Sequence, residues 1–225
     1  GRDPGGRAAP RHVRPRVERV YADPRSRIYL DDAKTFFSTY NKKYDLIVSE
    51  PSNPWVSGVA GLFSGEFYRR IRNHLQDDGL FVQWVQLYEI NVDLVVSVLK
   101  AVSANFADYA VYASHDYDLF IIARKTGALP ELDPGVLQMP EIAAALRRIS
   151  IEGVQDIDLR KVGGKDILEG LTRSFPIHAN SDYYPVLDQY AARARFLGET
   201  ARDLTGFTHF PLPTGEMLSG KRAPW

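Results

Sequence analysis

Two acidic residues follow short apolar runs, at positions where an α/β protein binds its ligands. Asp32 comes after the run 28–30, and Glu50 comes directly after the run 44–49. In an open α/β sheet, ligands bind beyond the carboxyl ends of the strands. A carboxylate at Asp32 can accept hydrogen bonds from an exocyclic amine or a sugar hydroxyl, and one at Glu50 can take a proton from an attacking amine. Both residues also fit plainer roles, Asp32 as a helix N-cap and Glu50 as a solvated loop acid.

The segment around Glu50 has the composition of a lid over a pocket. It reads S-E-P-S-N-P-W-V-S-G-V-A-G-L-F, in which the prolines restrict the backbone and the glycines allow it to fold back. By composition alone, the same segment also fits a structural loop in which Trp55 fills the core.

Several other chemistries are excluded by composition. The chain has no cysteine, so it has no disulfide, no thiolate metal site and no cysteine nucleophile. Its five histidines are far apart and lack metal-ligand spacing. The 28 lysines and arginines balance the 28 aspartates and glutamates, which does not favour nucleic acid as a partner. No apolar run approaches the roughly 18–20 residues that cross a bilayer. We therefore expect a globular, cytoplasmic protein without a metal.

Short apolar runs alternate with stretches of helical spacing from Arg27 onwards, which predicts parallel strands joined by crossover helices. The predicted strands are 28–30, 44–49, 80–86, 107–113 and 118–123, and the predicted helices between them are 33–40, 64–74 and 92–104. Only a few turn residues separate the last two strands, which is too short for a parallel crossover, so these strands should form an antiparallel hairpin. The fold class is therefore α/β: part of a methyltransferase-like, Rossmann-type doubly wound sheet, mostly parallel and finished by an antiparallel hairpin.

Composition divides the chain into three parts. Residues 1–19 are rich in Arg, Pro and Gly and lack aliphatic periodicity, which predicts a disordered basic arm; a tail for nucleic acid or lipid head groups is the alternative. Residues 20–125 form the α/β domain. Residues 126–225 are predicted to be a small helical extension packed on the sheet, with helices at 141–149 and 166–173.

Four motifs resemble the spermidine/spermine synthase (polyamine aminopropyltransferase) family in their order and spacing. They are D-D-A-K-T-F-F, Y-D-L-I-V-S-E-P-S-N-P, L-F-S-G-E-F-Y and D-G-L-F-V-Q-W. The later segments N-S-D-Y-Y-P-V-L-D and A-R-A-R-F-L-G-E are similar to the tail of bacterial members that are fused to a membrane region.

The resemblance implies a chemistry and a set of partners. Family members transfer an aminopropyl group from decarboxylated S-adenosylmethionine, as co-substrate, to putrescine, and release methylthioadenosine without a metal or a tightly bound cofactor. A small-molecule amine would then be the partner. The resemblance also allows a homodimer and, in a longer parent protein, a membrane region whose cytoplasmic face carries this domain.

The resemblance also implies roles for individual residues. Asp32 and Ala33 fall on the D-[GA] motif that contacts adenine, and E-P-S-N-P falls on the family's D-S-S-D-P loop. Glu50 thus stands at the position of the catalytic aspartate, Ser52 is a substrate-binding candidate, and Asn53 stands where a second aspartate grips the polyamine. Glutamate keeps the charge but lengthens the side chain, whereas asparagine removes a charge that a diammonium substrate would meet. The amine acceptor therefore stays open.

One family motif is not found in this sequence. The glycine-rich G-G-G-D-G strand–loop–helix should precede Asp23, and nothing in residues 1–19 resembles it. Without it, the methionine-like part of the co-substrate has no backbone cradle, so we expect an N-terminally truncated chain that is inactive as a fragment. Three functions stay open: an aminopropyltransferase completed by its missing part, an S-adenosylmethionine-dependent methyltransferase or other transferase on the same fold, and a non-catalytic binding domain.

Overall fold

In the part of the chain that the structure describes, five strands form one mixed sheet with helices around it. The computed structural model describes Glu18, residues 20–209 and Leu218, and for His115 and Phe207 it describes the backbone alone. The chain divides into two units between Asp32 and Ala33. The predicted disordered arm over 1–19 therefore lies, apart from Glu18, outside the described residues.

In the first unit, residues 20–22 are helical and the backbone from Asp23 to Asp32 is irregular. The predicted strand 28–30 is wrong. The side chains of Ile28, Tyr29 and Leu30 are 56, 57 and 86% exposed. Three apolar residues are enough to suggest a strand, but a strand also needs a neighbour that accepts its backbone hydrogen bonds.

The second unit contains the sheet and the regular helices. Its helices are α1 (Ala33–Thr39), α2 (Gly65–His74), α3 (Val92–Ser103), α4 (Pro134–Leu137), α5 (Pro140–Arg147), α6 (Val154–Asp158), α7 (Lys165–Arg173) and α8 (Val186–Leu197), and 3-10 helices span Val59–Phe63 and Arg202–His209. Its strands are β1 (Tyr44–Ser49), β2 (Leu75–Gln86), β3 (Asp108–His115), β4 (Asp118–Arg124) and β5 (Lys161–Gly164).

The strands lie in the order β1-β2-β4-β3-β5. Strands β1 and β2 are parallel and are joined through α2, as expected of a crossover unit. The predicted antiparallel hairpin of β3 and β4 is confirmed, and β4 is inserted between β2 and β3. Strand β5, which the sequence patterns did not predict, pairs antiparallel with β3. The described sheet is therefore more antiparallel than expected, and its α/β class is as predicted.

Most predicted elements of this unit are confirmed within a few residues. Strand β1 has the predicted bounds, and α5 and α7 lie in the C-terminal part where helices were expected. Strand β2 begins at Leu75 rather than at residue 80. Its pairing with β1 moves from Tyr44–Leu75 to Leu46–Leu80, so the predicted turn at 77–79 lies in a bulge within the strand. Helix α8 was not predicted, because its aromatic and charged residues hide the helical period.

Helices α2 and α3 cover one face of the sheet and enclose the core. Phe81 of β2 stacks on Phe106 with ring centroids 5.4 Å apart, and Tyr68 of α2 meets both rings edge-on. The opposite face carries Leu46 and Val48 of β1, which are 54 and 60% exposed. Apolar residues on both faces are the pattern of strands that are buried on both sides. In the described residues, α2 and α3 cover only one face of the sheet.

The start of α2 is fixed by a buried cap. Ser64 has no exposed surface, and its hydroxyl accepts a hydrogen bond from Phe67 N–H (3.2 Å) and donates one to the Gly61 carbonyl (2.9 Å). This contact confirms the predicted cap. It also joins α2 to the end of the loop that begins at Glu50.

We predict that Ser64→Ala lowers the free energy of unfolding by about 1–2 kcal/mol, because it leaves the Phe67 N–H without its acceptor. Urea denaturation measures the change. Ser57→Ala, at an exposed serine of the same loop, is the matched control and should stay within about 0.5 kcal/mol of the parent. Equal stability of the two variants would contradict the role of the cap.

Candidate functional site

Glu50 directly follows β1 and is exposed at the carboxyl end of the strand. Ser52 is also exposed, whereas Asn53 is half-buried and Pro54 is buried. The loop is therefore anchored at Pro54, while the carboxylate of Glu50 faces solvent. This arrangement agrees with the position predicted for Glu50 from the strand pattern.

A buried side chain of the neighbouring strand holds the last residue of β1. Gln83 is paired with Ser49 across the parallel ladder, and its amide donates to the Ser49 carbonyl (3.3 Å) and to the Trp84 carbonyl (2.9 Å). The Tyr68 hydroxyl donates in turn to the Gln83 side-chain oxygen (3.5 Å). Burial raises the pKa of Tyr68 well above its ordinary value, so the phenol keeps its proton. The backbone that leads into Glu50 is thus held by the side chain of Gln83.

Asn53 is joined to the segment that follows β2. Its amide nitrogen donates to the Tyr88 hydroxyl over 3.1 Å. Tyr88 follows Leu87, whose carbonyl accepts hydrogen bonds from Ala201 N–H (2.9 Å) and from the Thr200 hydroxyl (3.0 Å). Residues beyond the carboxyl ends of two parallel strands therefore meet, and the C-terminal segment holds one of them in place.

Trp55 lies in a cluster of aromatic and charged side chains next to Asn53. Its ring meets Tyr88 edge-on with centroids 6.3 Å apart, and the Arg195 guanidinium lies over it, 5.2 Å from the ring centroid. Arg195 also forms an ion pair with Glu89 at 3.4 Å. Glu89 has φ +54°, a conformation that non-glycine residues seldom adopt, so its contacts must offset some backbone strain. Trp55 also packs against the core, which agrees with the alternative prediction that this residue fills the core.

The N-S-D segment fastens the C-terminal part to this loop. The buried Asn180 donates to the Ala60 carbonyl (3.1 Å) and accepts from Leu187 N–H (3.0 Å). Glu66 of α2 accepts hydrogen bonds from the Ser181 hydroxyl (3.1 Å) and from Asp182 N–H (2.8 Å). The end of the Glu50 loop and the first turn of α2 are therefore tied to residues that lie more than a hundred positions along the chain.

Asp32 and Ala33 fall on the two sides of the boundary between the units. Asp32 is exposed, and its backbone N–H donates to the Asp31 carboxylate (2.9 Å). Ala33 begins α1 and packs against the core of the second unit. Their assignment to the adenine moiety stays a prediction, as do the roles of Glu50, Ser52 and Asn53.

The described residues contain neither a cluster of metal ligands nor a helix suited to a membrane. No group of three or more His, Asp or Glu side chains there could hold a metal ion. Among the same residues, no helix has the length and apolar content needed to cross a bilayer.

Comparison with known proteins finds a family match over the part of the chain that contains β1 and β2. The family described as the spermine/spermidine synthase domain matches residues 10–116, which include β1, the Glu50 loop, α2, β2 and α3. Residues 10–116 belong to the spermine/spermidine synthase family.

The relatives of this spermine/spermidine synthase segment are longer than the part they share with it. A polyamine aminopropyltransferase of Desulforudis audaxviator is 28% identical over 99 residues, which cover 44% of this chain and 36% of that protein. One of Synechococcus sp. is 37% identical over 100 residues, covering 41% of this chain and 31% of that protein. A crystal structure of a probable spermidine synthase from Corynebacterium glutamicum has 19% identity and a TM-score of 0.47, and the match covers 75% of this chain and 60% of that one. The chain thus spans about a third of the length of the curated relatives it matches.

Sequence patterns missed three residues that support the site: Gln83, Tyr88 and Arg195. Tyr88 could have been found, because it lies just beyond a predicted strand of the parallel pair, as Glu50 does. Gln83 and Arg195 gave no such signal, since one is a polar residue inside a strand and the other lies on an unpredicted helix.

We predict that Trp55 and Arg195 stabilise the folded chain jointly. In a double-mutant cycle with Trp55→Leu and Arg195→Met, the coupling free energy should be about 0.5–1 kcal/mol, the value of an exposed cation–π pair. Urea denaturation of the four proteins measures it.

The matched control is the cycle of Trp55→Leu with Arg193→Met, an exposed arginine on the same helix. Its coupling should stay within about 0.3–0.5 kcal/mol of zero. If the two cycles give the same coupling, the Trp55–Arg195 contact does not hold the loop.

Proposed function

We propose that this chain carries the acceptor side of a polyamine aminopropyltransferase. The observation that carries the proposal is the exposed carboxylate of Glu50 at the carboxyl end of β1, inside the segment that belongs to the spermine/spermidine synthase family. The donor would be decarboxylated S-adenosylmethionine, and the acceptor a small-molecule amine. We further propose the cytoplasm as the site of the reaction.

In the proposed reaction, the nitrogen of the amine attacks the carbon of the aminopropyl group that is bonded to sulfur. A C–N bond forms, the C–S bond breaks, and methylthioadenosine leaves with the electron pair of that bond. The attacking nitrogen must lose a proton, and Glu50 would take it as general base. An exposed carboxylate on a loop supported by Gln83 and Pro54 suits this task, since its backbone is held while the side chain can reach the amine.

Asn53 and Ser52 would bind the acceptor beside Glu50, and Asp32 with Ala33 would contact the nucleoside of the donor. The amide nitrogen of Asn53 is engaged with Tyr88, which leaves its carbonyl oxygen as the group that can accept an N–H of the substrate. A carbonyl accepts a hydrogen bond without supplying a full charge, so a diammonium substrate would be held less tightly here than by a carboxylate.

We expect Glu50→Gln to lower turnover by about 10²–10⁴-fold, the usual loss on removing a general base, with little change in nucleoside affinity. The assay uses the complete gene product with decarboxylated S-adenosylmethionine and a set of amines. Mass spectrometry detects methylthioadenosine and the aminopropylated amine. Glu141→Gln, at an exposed glutamate of α5, is the control and should retain the parent rate.

The same assay separates the other functions. Methylated acceptor and S-adenosylhomocysteine formed from S-adenosylmethionine would indicate a methyltransferase. The absence of product with either donor would indicate a binding domain. Full turnover of Glu50→Gln would remove Glu50 from the mechanism even if aminopropyl transfer occurs.

We predict that Asn53→Asp improves the use of a diamine acceptor, because it places a negative charge where the distal ammonium would lie. The effect should appear as a lower KM for putrescine with a smaller change in kcat. Asn73→Asp, at the C-terminal end of α2, is a control for the added charge. An unchanged KM for putrescine in Asn53→Asp would show that Asn53 does not meet the acceptor.

A further inference from the structure

A cavity lies away from the residues of the Glu50 loop. It has a volume of about 1100 Å³ and is bounded on one side by β2, β3 and β4. Its other side is formed by residues 129–134, which lead into α4, and by residues between 149 and 158, which include α6. Glu50, Ser52 and Asn53 are not among its lining residues. The proposed aminopropyl transfer therefore leaves this cavity without a role.

The sheet wall of the cavity is apolar and continuous across three strands. Val82 of β2 is paired with Ile122 of β4, and Ile122 is paired with Ala110 of β3. Paired residues lie on the same face of a sheet, so these side chains form one row along the wall. Phe120, which is 37% exposed, and Tyr112 form the next row. This is the sheet face that α2 and α3 leave uncovered.

The outer wall is apolar as well and is tied to the sheet. Ile151 is buried, and Val154 and Ile157 of the same wall are half-buried. The Asp108 carboxylate of β3 accepts a hydrogen bond from Leu129 N–H (2.7 Å), which fixes the start of this wall. The Arg160 guanidinium donates to the Ile149 carbonyl (3.1 Å) and to the Asp156 carbonyl (2.7 Å) and so holds its end. The cavity is therefore a space between two fastened walls.

The charged residues of the lining do not favour an anion. The lining contains five acids and three bases, and the bases are Arg160, Lys161 and Lys165. Lys165 donates to the carbonyls of Ser103 (3.2 Å), Phe106 (2.8 Å) and Ala107 (3.2 Å), so its ammonium group is committed within the chain. Arg160 is committed to the two carbonyls of the outer wall, and Lys161 is not without a partner. An anionic ligand would find no cation that is left for it.

We propose that this cavity binds a predominantly apolar small molecule that carries no negative charge. A cavity of about 1100 Å³ slightly exceeds the roughly 300–1,000 Å³ that ligand pockets occupy, so it has room for a small molecule. Apolar walls of this extent are unfavourable in contact with water, and filling them with apolar surface removes that cost. The site is separate from the Glu50 loop, so the proposal does not depend on the aminopropyltransferase function.

A matched pair of fluorescent probes tests the site on the chain as it stands. N-phenylnaphthylamine is uncharged, and anilinonaphthalene sulfonate has the same aromatic skeleton with an added sulfonate. We expect saturable binding of the uncharged probe at one site per chain, with an affinity at least about tenfold higher than that of the sulfonate. Equal affinities, or binding that does not saturate, would overturn the proposal.

Cavity-filling variants locate the binding site. Ile122→Trp fills the cavity from the sheet wall and Val154→Trp from the outer wall, and each should weaken probe binding by about tenfold or more. Using both walls keeps the test valid if one variant fails to fold, which circular dichroism shows. Leu46→Trp, on the same sheet face but outside the cavity lining, is the control and should bind the probe as the parent does.

Two further outcomes would contradict the proposal. Probe binding that survives both folded filling variants would place the probe elsewhere. Absence of binding in a chain that self-associates, with the association lost in Ile122→Trp, would make a second copy the occupant of this face. Sedimentation velocity measures that association.

Discussion

The parallel pairing of β1 with β2 is the constraint on which the candidate site depends. In a parallel pair, both strands end at the same edge of the sheet, so the residues that follow them emerge side by side. Here these residues are Glu50 to Asn53 after β1 and Tyr88 after β2, and the Asn53–Tyr88 hydrogen bond joins them. Gln83 reinforces the pairing by adding a side-chain hydrogen bond to the last residue of β1. Changes that loosen this pair would therefore displace the carboxylate as well as the sheet.

The C-terminal half of the chain closes this region from outside. Asn180 connects the start of α8 to the 3-10 helix at the end of the Glu50 loop, and Arg195 near the end of α8 contacts Trp55 and Glu89. These contacts join residues more than a hundred positions apart in sequence. The C-terminal segment contributes none of the proposed site residues, but its contacts hold the loop that carries Glu50, Ser52 and Asn53. These contacts hold α8 in the fold although its sequence periodicity is weak.

The two faces of the sheet are packed differently. One face packs against α2 and α3 through a dense aromatic core, which rigidifies the strands below the Glu50 loop. Along β2, β3 and β4, the described residues place an outer wall opposite the other face, fastened through Asp108 and Arg160, and the space between wall and sheet is the apolar cavity. Rigid support and an open apolar volume are therefore provided by opposite sides of the same strands.

The sequence by itself determined the local elements and the position of the main carboxylate. The six residues of β1, the cap at Ser64, the hairpin of β3 and β4 and the location of Glu50 after a strand all follow from short-range patterns, because neighbouring residues set them. The run 28–30 has the same local signal as a strand, but only pairing with another strand could have made it one. Three features depend on which distant segments meet: the contacts that Tyr88 and Arg195 make with the loop, the pairing of β5 and the cavity. Local patterns do not contain that information. Only the tertiary structure decided them, because they arise from the packing of residues far apart in the chain.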